Sequence, residues 1–103
     1  MRRRTRPPAH PGGILKRLYL EPMKISNMAL ADTLGVSRKT ISKIVNERGS
    51  ITPDMALRLS RAFGTTPELW LNLQMNYDLW QTSHKDTGWE KVPVLRANET
   101  LLG

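Results

Sequence analysis

Five polar residues recur at a helical spacing: Arg38, Lys39, Ser42, Lys43 and Asn46. At about 100° per residue, Arg38, Lys39, Ser42 and Asn46 share one side of a helix that starts after Ser37, with Lys43 at its margin. Ile41 and Ile44 fall on the opposite side, about 60° from each other. The polar face holds cations and hydrogen-bonding groups and no carboxylate. Arg and Lys donate to guanine O6 and N7, Asn pairs with adenine, and Ser reaches a base edge or a phosphate. Such a face suits recognition of an anionic, acceptor-rich surface rather than the making or breaking of bonds.

The residues around this face predict what positions it. The segment NMALADTLGVSRKTISKIVN, from Asn27 to Asn46, has the spacing of two helices crossing steeply over a short turn. Ala31 stands where the helices come closest, and a larger side chain would push them apart. Gly35 ends the first helix, where the chain enters the left-handed region. Leu30, Leu34, Val36, Ile41 and Ile44 supply the inner faces, and Ser37 caps the second helix. This is the arrangement of a helix-turn-helix that lays its second helix in the DNA major groove. Asn27 opens the first helix, where free N–H groups and a side-chain amide suit a phosphate.

Charge follows the same division. The chain of 103 residues carries a net charge of +7. Residues 1–48 hold 11 Lys or Arg against 3 acids, whereas residues 49–103 hold 5 against 6. The entire excess lies in the half that contains the reading face, as expected of a nucleic-acid footprint. Cysteine is absent, which excludes disulfides and thiolate sites and fits a cytoplasmic protein. Arg2, Arg3, Arg4 and Arg6 are followed by Pro and Gly rather than an apolar run, so export is not expected.

The remaining pattern predicts an all-α fold: one domain of five helices, the helix-turn-helix among them. A first helix over residues 11–20 has Ile14, Leu15 and Leu18 as its apolar stripe and stops at Glu21-Pro22. Ser26 caps the second helix, and the third runs from residue 38 to about residue 47. Thr52-Pro53-Asp54 and Thr66-Pro67-Glu68 each combine a capping hydroxyl, a first-turn proline and an early acid, opening a fourth helix to residue 63 and a fifth to about residue 81. The predicted organisation is a flexible basic arm over 1–9, a DNA-binding and dimerisation domain over 10–81, and a C-terminal tail over 82–103.

The fifth helix has two apolar stripes where a helix at the rim of a small domain needs one. Leu69, Trp70, Leu73, Tyr77 and Trp80 form the first; Leu71, Met75 and Leu79 form the second. Gln74 and Asp78 read as polar separators along one edge. One stripe is expected to pack on the domain and the other on a second copy of the chain.

The stretches HPGGILKRLYLEPM at 10–23, the helix-turn-helix at 27–46 and ITPDMALRLSRAFGTTPELWLNLQMNYDLW at 51–80 resemble the HigA-type antitoxins over residues 10–81. The resemblance implies a phage-repressor-like helix-turn-helix fold and dimers that bind a palindromic operator in double-stranded DNA and repress their own operon. It also implies a cognate toxin, a ribosome-dependent, mRNA-cleaving protein of RelE-like fold, that the antitoxin blocks. The family's DNA contacts map onto Ser37, Arg38, Lys39, Thr40, Ser42 and Lys43; Thr40 enters by resemblance alone, since periodicity places it nearer the inner side. Toxins of this type are typically basic, which favours the near-neutral second half as their docking surface.

The other function classes have less behind them. His10 and His84 match no metal-ligand or catalytic spacing, so neither an enzyme nor a cofactor is expected. A stand-alone helix-turn-helix repressor with no toxin partner fits the residues equally well, and only the resemblance separates it from an antitoxin.

Overall fold

A computed structural model of the chain describes residues 6–96, and these form five helices with no strand among the described residues. Helix α1 spans residues 11–23 as one continuous run. It comprises an α-turn at Pro11–Ile14, a π-wound stretch at Leu15–Leu20 and a last turn at Glu21–Met23. Helices α2 (Asn27–Leu34), α3 (Arg38–Val45), α4 (Pro53–Phe63) and α5 (Pro67–Lys85) follow, then a single 3₁₀ turn at Gly88–Lys91.

The hydroxyl caps stand where the sequence places them. Ser26, Ser37, Thr52 and Thr66 accept the N–H of Ala29, Thr40, Met55 and Leu69 at 3.0–3.2 Å. Each such cap contributes about 1 kcal/mol. Gly35 and Gly64 close α2 and α4 at φ 72° and 68°, the left-handed region where glycine meets no Cβ penalty.

Helix α1 corrects two expectations. It passes through Pro22 instead of stopping at Glu21, and Leu18 is 62% exposed instead of buried. The π winding accounts for both. The Glu21 N–H bonds the Lys16 carbonyl five residues back, and this wider turn moves the preceding carbonyls out of the proline ring's path. A five-residue register also places Leu15 and Leu20 on one buried face and turns Leu18 outward. The helix ends at Lys24, left-handed at φ 55°, with the Ile25 N–H returning to the Leu20 carbonyl at 2.9 Å.

The core is built around Trp70, which is fully buried with Leu15, Leu30, Ile41 and Leu59. Tyr19 and Phe63 pack on it, with ring centroids 5.4 Å apart for Tyr19–Trp70 and 4.8 Å for Tyr19–Phe63. The indole N–H donates to Thr65 Oγ1 at 2.8 Å, so the core carries no unpaired polar atom there. A Trp→Ala change at such a site costs about 3–5 kcal/mol.

Helix α5 runs to Lys85, beyond the end near Gln81 that the pattern predicts. Its last turn is held by the Ser83 hydroxyl donating to the Trp80 carbonyl at 3.0 Å and by the His84 ring stacked on Trp80 at 4.0 Å. Gln74 is not a surface separator but a buried residue that binds the loop ahead of α4, its Oε1 accepting the Ile51 N–H at 2.7 Å. Leu71 packs half-buried on the core, while Met75 and Leu79 are exposed; with Ile51 the three line one shallow groove.

Candidate nucleic-acid interface

Helix α3 is seated by its apolar side. Ile41, Ile44 and Val45 are buried against α2 and α1, which leaves the opposite face free. Arg38, Lys39, Ser42, Lys43 and Asn46 come together there and line one groove with Arg48. No acid lines it. Asn46 Nδ2 donates to Ser42 Oγ at 3.3 Å, which pre-orients both side chains. At the N-terminal end, the hydroxyls of Ser37 and Thr40 lie 2.8 Å apart, so Thr40 is turned toward the cap and half-buried.

Arg48 joins this groove through a backbone reversal that its sequence position does not announce. Glu47 adopts φ 62°, and the N–H groups of Arg48 and Gly49 return to the Lys43 carbonyl at 2.8 and 3.0 Å. The chain thereby folds back beside α3 and carries the Arg48 side chain to the rim. In the sequence, Gly49 and Ser50 mark a loop here but not the reversal at Glu47. Asn27 lies in a neighbouring groove with Lys16, Lys24 and Ser26, and Asn46 lines both. The basic-arm residues Arg2, Arg3 and Arg4 lie outside the described residues; Arg6 is exposed, and Pro8 is buried.

The C-terminal end of α3 is fixed from behind by α1. Gly12 lies so close that a Cβ built on it would collide with the backbone carbonyl of Ile44. His10 caps α1 at this junction, its Nδ1 accepting the Gly12 N–H at 2.9 Å. His10 is 5% exposed, and its ring meets Tyr77 of α5 edge to face, centroids 4.7 Å apart. Burial pushes the imidazole below its ordinary range, and the Glu47 carboxylate, a backbone hydrogen bond to Gly49 and the Asp78 carboxylate pull it partly back. Sequence reasoning left His10 unassigned, because a proline-rich flank gives no sign that the ring will be buried.

The helix-turn-helix family profile matches residues 16–70. Antitoxin HigA-1 of Vibrio cholerae is 45% identical over 85 residues, covering 82% of this chain and 80% of that protein. The solved antitoxin GraA in complex with its operator is 43% identical, with TM-score 0.82, and the match covers 94% of this chain and 99% of that one. The solved Pseudomonas aeruginosa antitoxin HigA with the higBA promoter is 42% identical, with TM-score 0.76, covering 85% and 99%. The profile match takes in the whole of α2, α3 and α4, so Arg38, Lys39, Ser42, Lys43 and Asn46 lie inside it. The chain belongs to the helix-turn-helix family of HigA-type antitoxins.

Proposed function

We propose that this protein is a sequence-specific DNA-binding antitoxin that represses its own operon as a dimer and neutralises a cognate mRNA-cleaving toxin of RelE-like fold. The observation that carries the DNA role is the acid-free groove along α3, in a fold whose relatives are described in complex with an operator and with a promoter. Arg38, Lys39, Ser42 and Asn46 read base edges, and Lys43, Ser37 and Thr40 serve bases or phosphates at the groove's margin. Asn27 and Arg48 flank the face and take phosphates on either side of it. Met75 and Leu79, with Leu71 between them and the core, form the surface for a second copy, which presents two reading helices to a palindrome. The toxin docks on the near-neutral second half, and the complex acts in the cytoplasm.

Co-expression with the adjacent small basic open reading frame tests both parts together. The expected result is co-purification of the two proteins, relief of toxicity, and a gel shift on the chain's own upstream region. A gel shift with neither capture nor relief would leave a stand-alone helix-turn-helix repressor.

A further inference from the structure

His10 touches none of the residues assigned to DNA, yet its ring stands where three elements meet. Nδ1 accepts from Gly12 in α1, Glu47 and Gly49 of the loop after α3 lie within electrostatic reach of the ring, and Tyr77 of α5 packs edge-on against it. The helix just below the ring has no slack, since Gly12 abuts the Ile44 carbonyl of α3. We propose that His10 is a positioning residue for operator binding: neutral, it closes the α1 N-terminus onto the end of α3, and protonation opens that junction and weakens specific DNA binding. This rests on the DNA-binding reading above.

The chemistry of the ring sets the direction. An Nδ1 that accepts a hydrogen bond leaves the neutral ring's proton on Nε2, whereas an imidazolium donates from both nitrogens. The protonated ring would therefore turn an N–H toward the Gly12 N–H. The His10 carbonyl, the backbone acceptor of this first turn, is already bonded to the N–H groups of Gly13 and Ile14 at 3.0 and 3.2 Å. A lost cap at a buried helix start leaves an unpaired donor, and the first turn of α1 must shift to reach water. Gly12 and Ile44 are in backbone contact, so the shift reaches the helix that carries the reading face.

Several charged or titratable groups surround the ring. Glu47 approaches from the loop after α3, Asp78 and the Tyr77 phenol from α5, and the Arg17 guanidinium of α1 lies beside Gly13 next to the Glu47 carboxylate. The two acids favour the cation. The Gly49 backbone favours it too, whereas burial, the largest effect, and the Gly12 bond oppose it; Asp78 is already engaged as acceptor for Gln74 Nε2 at 3.0 Å.

Electrostatics alone predicts the opposite pH trend, which makes the proposal sharply testable. Protonating histidines adds positive charge and strengthens contact with phosphates. Affinity of the full-length protein for a duplex from its own upstream region is measured by fluorescence anisotropy from about pH 8 to about pH 5.5, the span over which histidine titrates. Specific affinity is expected to fall several-fold while affinity for a random duplex holds or rises. His10→Asn, whose amide oxygen caps without titrating, is expected to abolish the fall, and His84→Gln is expected to retain it. Amide NMR of the unaltered protein gives a readout that needs no variant: Gly12, Ile44 and Glu47 should shift together at the midpoint of the His10 ring. A flat or rising specific profile, an undiminished fall in folded His10→Asn, or α3 amides that stay fixed while His10 titrates would each overturn the proposal. Absence of specific binding even at the alkaline end counts against the DNA reading instead, and the amide titration still decides the junction.

Discussion

The backbone N–H of Ile51 donates to the side-chain oxygen of Gln74 at 2.7 Å, joining the segment that follows α3 to the middle of α5. The other end of the same amide donates to Asp78 at 3.0 Å, so a buried polar group is satisfied at both ends. The bond ties the loop that follows α3 to the helix that carries the exposed apolar stripe.

Gln74→Leu keeps the volume and leaves the buried Ile51 N–H without its partner. The expected cost is about 1–3 kcal/mol of stability, the desolvation penalty of an unpaired donor. Urea unfolding of the variant checks this, and an unchanged midpoint and slope would remove the bond from the list of stabilising contacts.

Gly12→Ala puts a methyl group into the Ile44 carbonyl. Since the obstacle is backbone rather than a flexible side chain, the expected loss is at the upper end of overpacking penalties, about 3 kcal/mol or more. Gly64→Ala is the contrast: nothing stands within 4 Å of its Cβ, and the strain there comes from φ 68° alone. Thermal melts of the two variants should place Gly12→Ala well below Gly64→Ala.

Arg38→Ala and Arg48→Ala are expected to weaken operator binding differently. A guanine-reading Arg38 gives a loss of about 1–3 kcal/mol and relaxed choice at one base position. An Arg48 on phosphate lowers affinity for all sequences and reduces the salt slope by about one counterion. A gel-shift series over salt and over single-base operator variants separates the two signatures.

For association, Met75→Asp/Leu79→Asp is the informative pair, because these side chains are 51% and 62% exposed whereas Leu71 also packs on the chain's own core. Light scattering is expected to show a dimer for the unaltered protein and a monomer for the variant, with circular dichroism unchanged. A variant that retains the dimer mass would assign the second copy to another face.

Acid should cost stability earlier than carboxylate titration alone would require. His10 is held below its ordinary range by burial, so the unfolded chain binds the proton more readily than the folded one. Its contribution is present above the unfolded value of 6.5 and is lost as pH falls through the lower folded value. Melting temperature should therefore decline below about pH 6.5, and His10→Asn should flatten that part of the profile.

Much of this protein is set locally, and the sequence alone determined those parts. Four hydroxyl caps, two left-handed glycines and the 3.6-residue spacing of Ile41 and Ile44 act within one helical turn, so five helices, the turn between α2 and α3 and the polar side of α3 are legible residue by residue. Tertiary structure decided what depends on distant partners. Leu18 faces solvent because a π-wound stretch changes the register of α1, and that register answers to the packing of Leu15, Tyr19 and Leu20 on the core. Gln74 is buried because an unpaired N–H 23 residues earlier needs its oxygen. Arg48 reaches the reading groove through a left-handed Glu47, and His10 is interior because Gly12 must lie flat on Ile44. Periodicity reports which side of a helix is apolar; only the assembled chain determines which polar groups must go inside to satisfy one another.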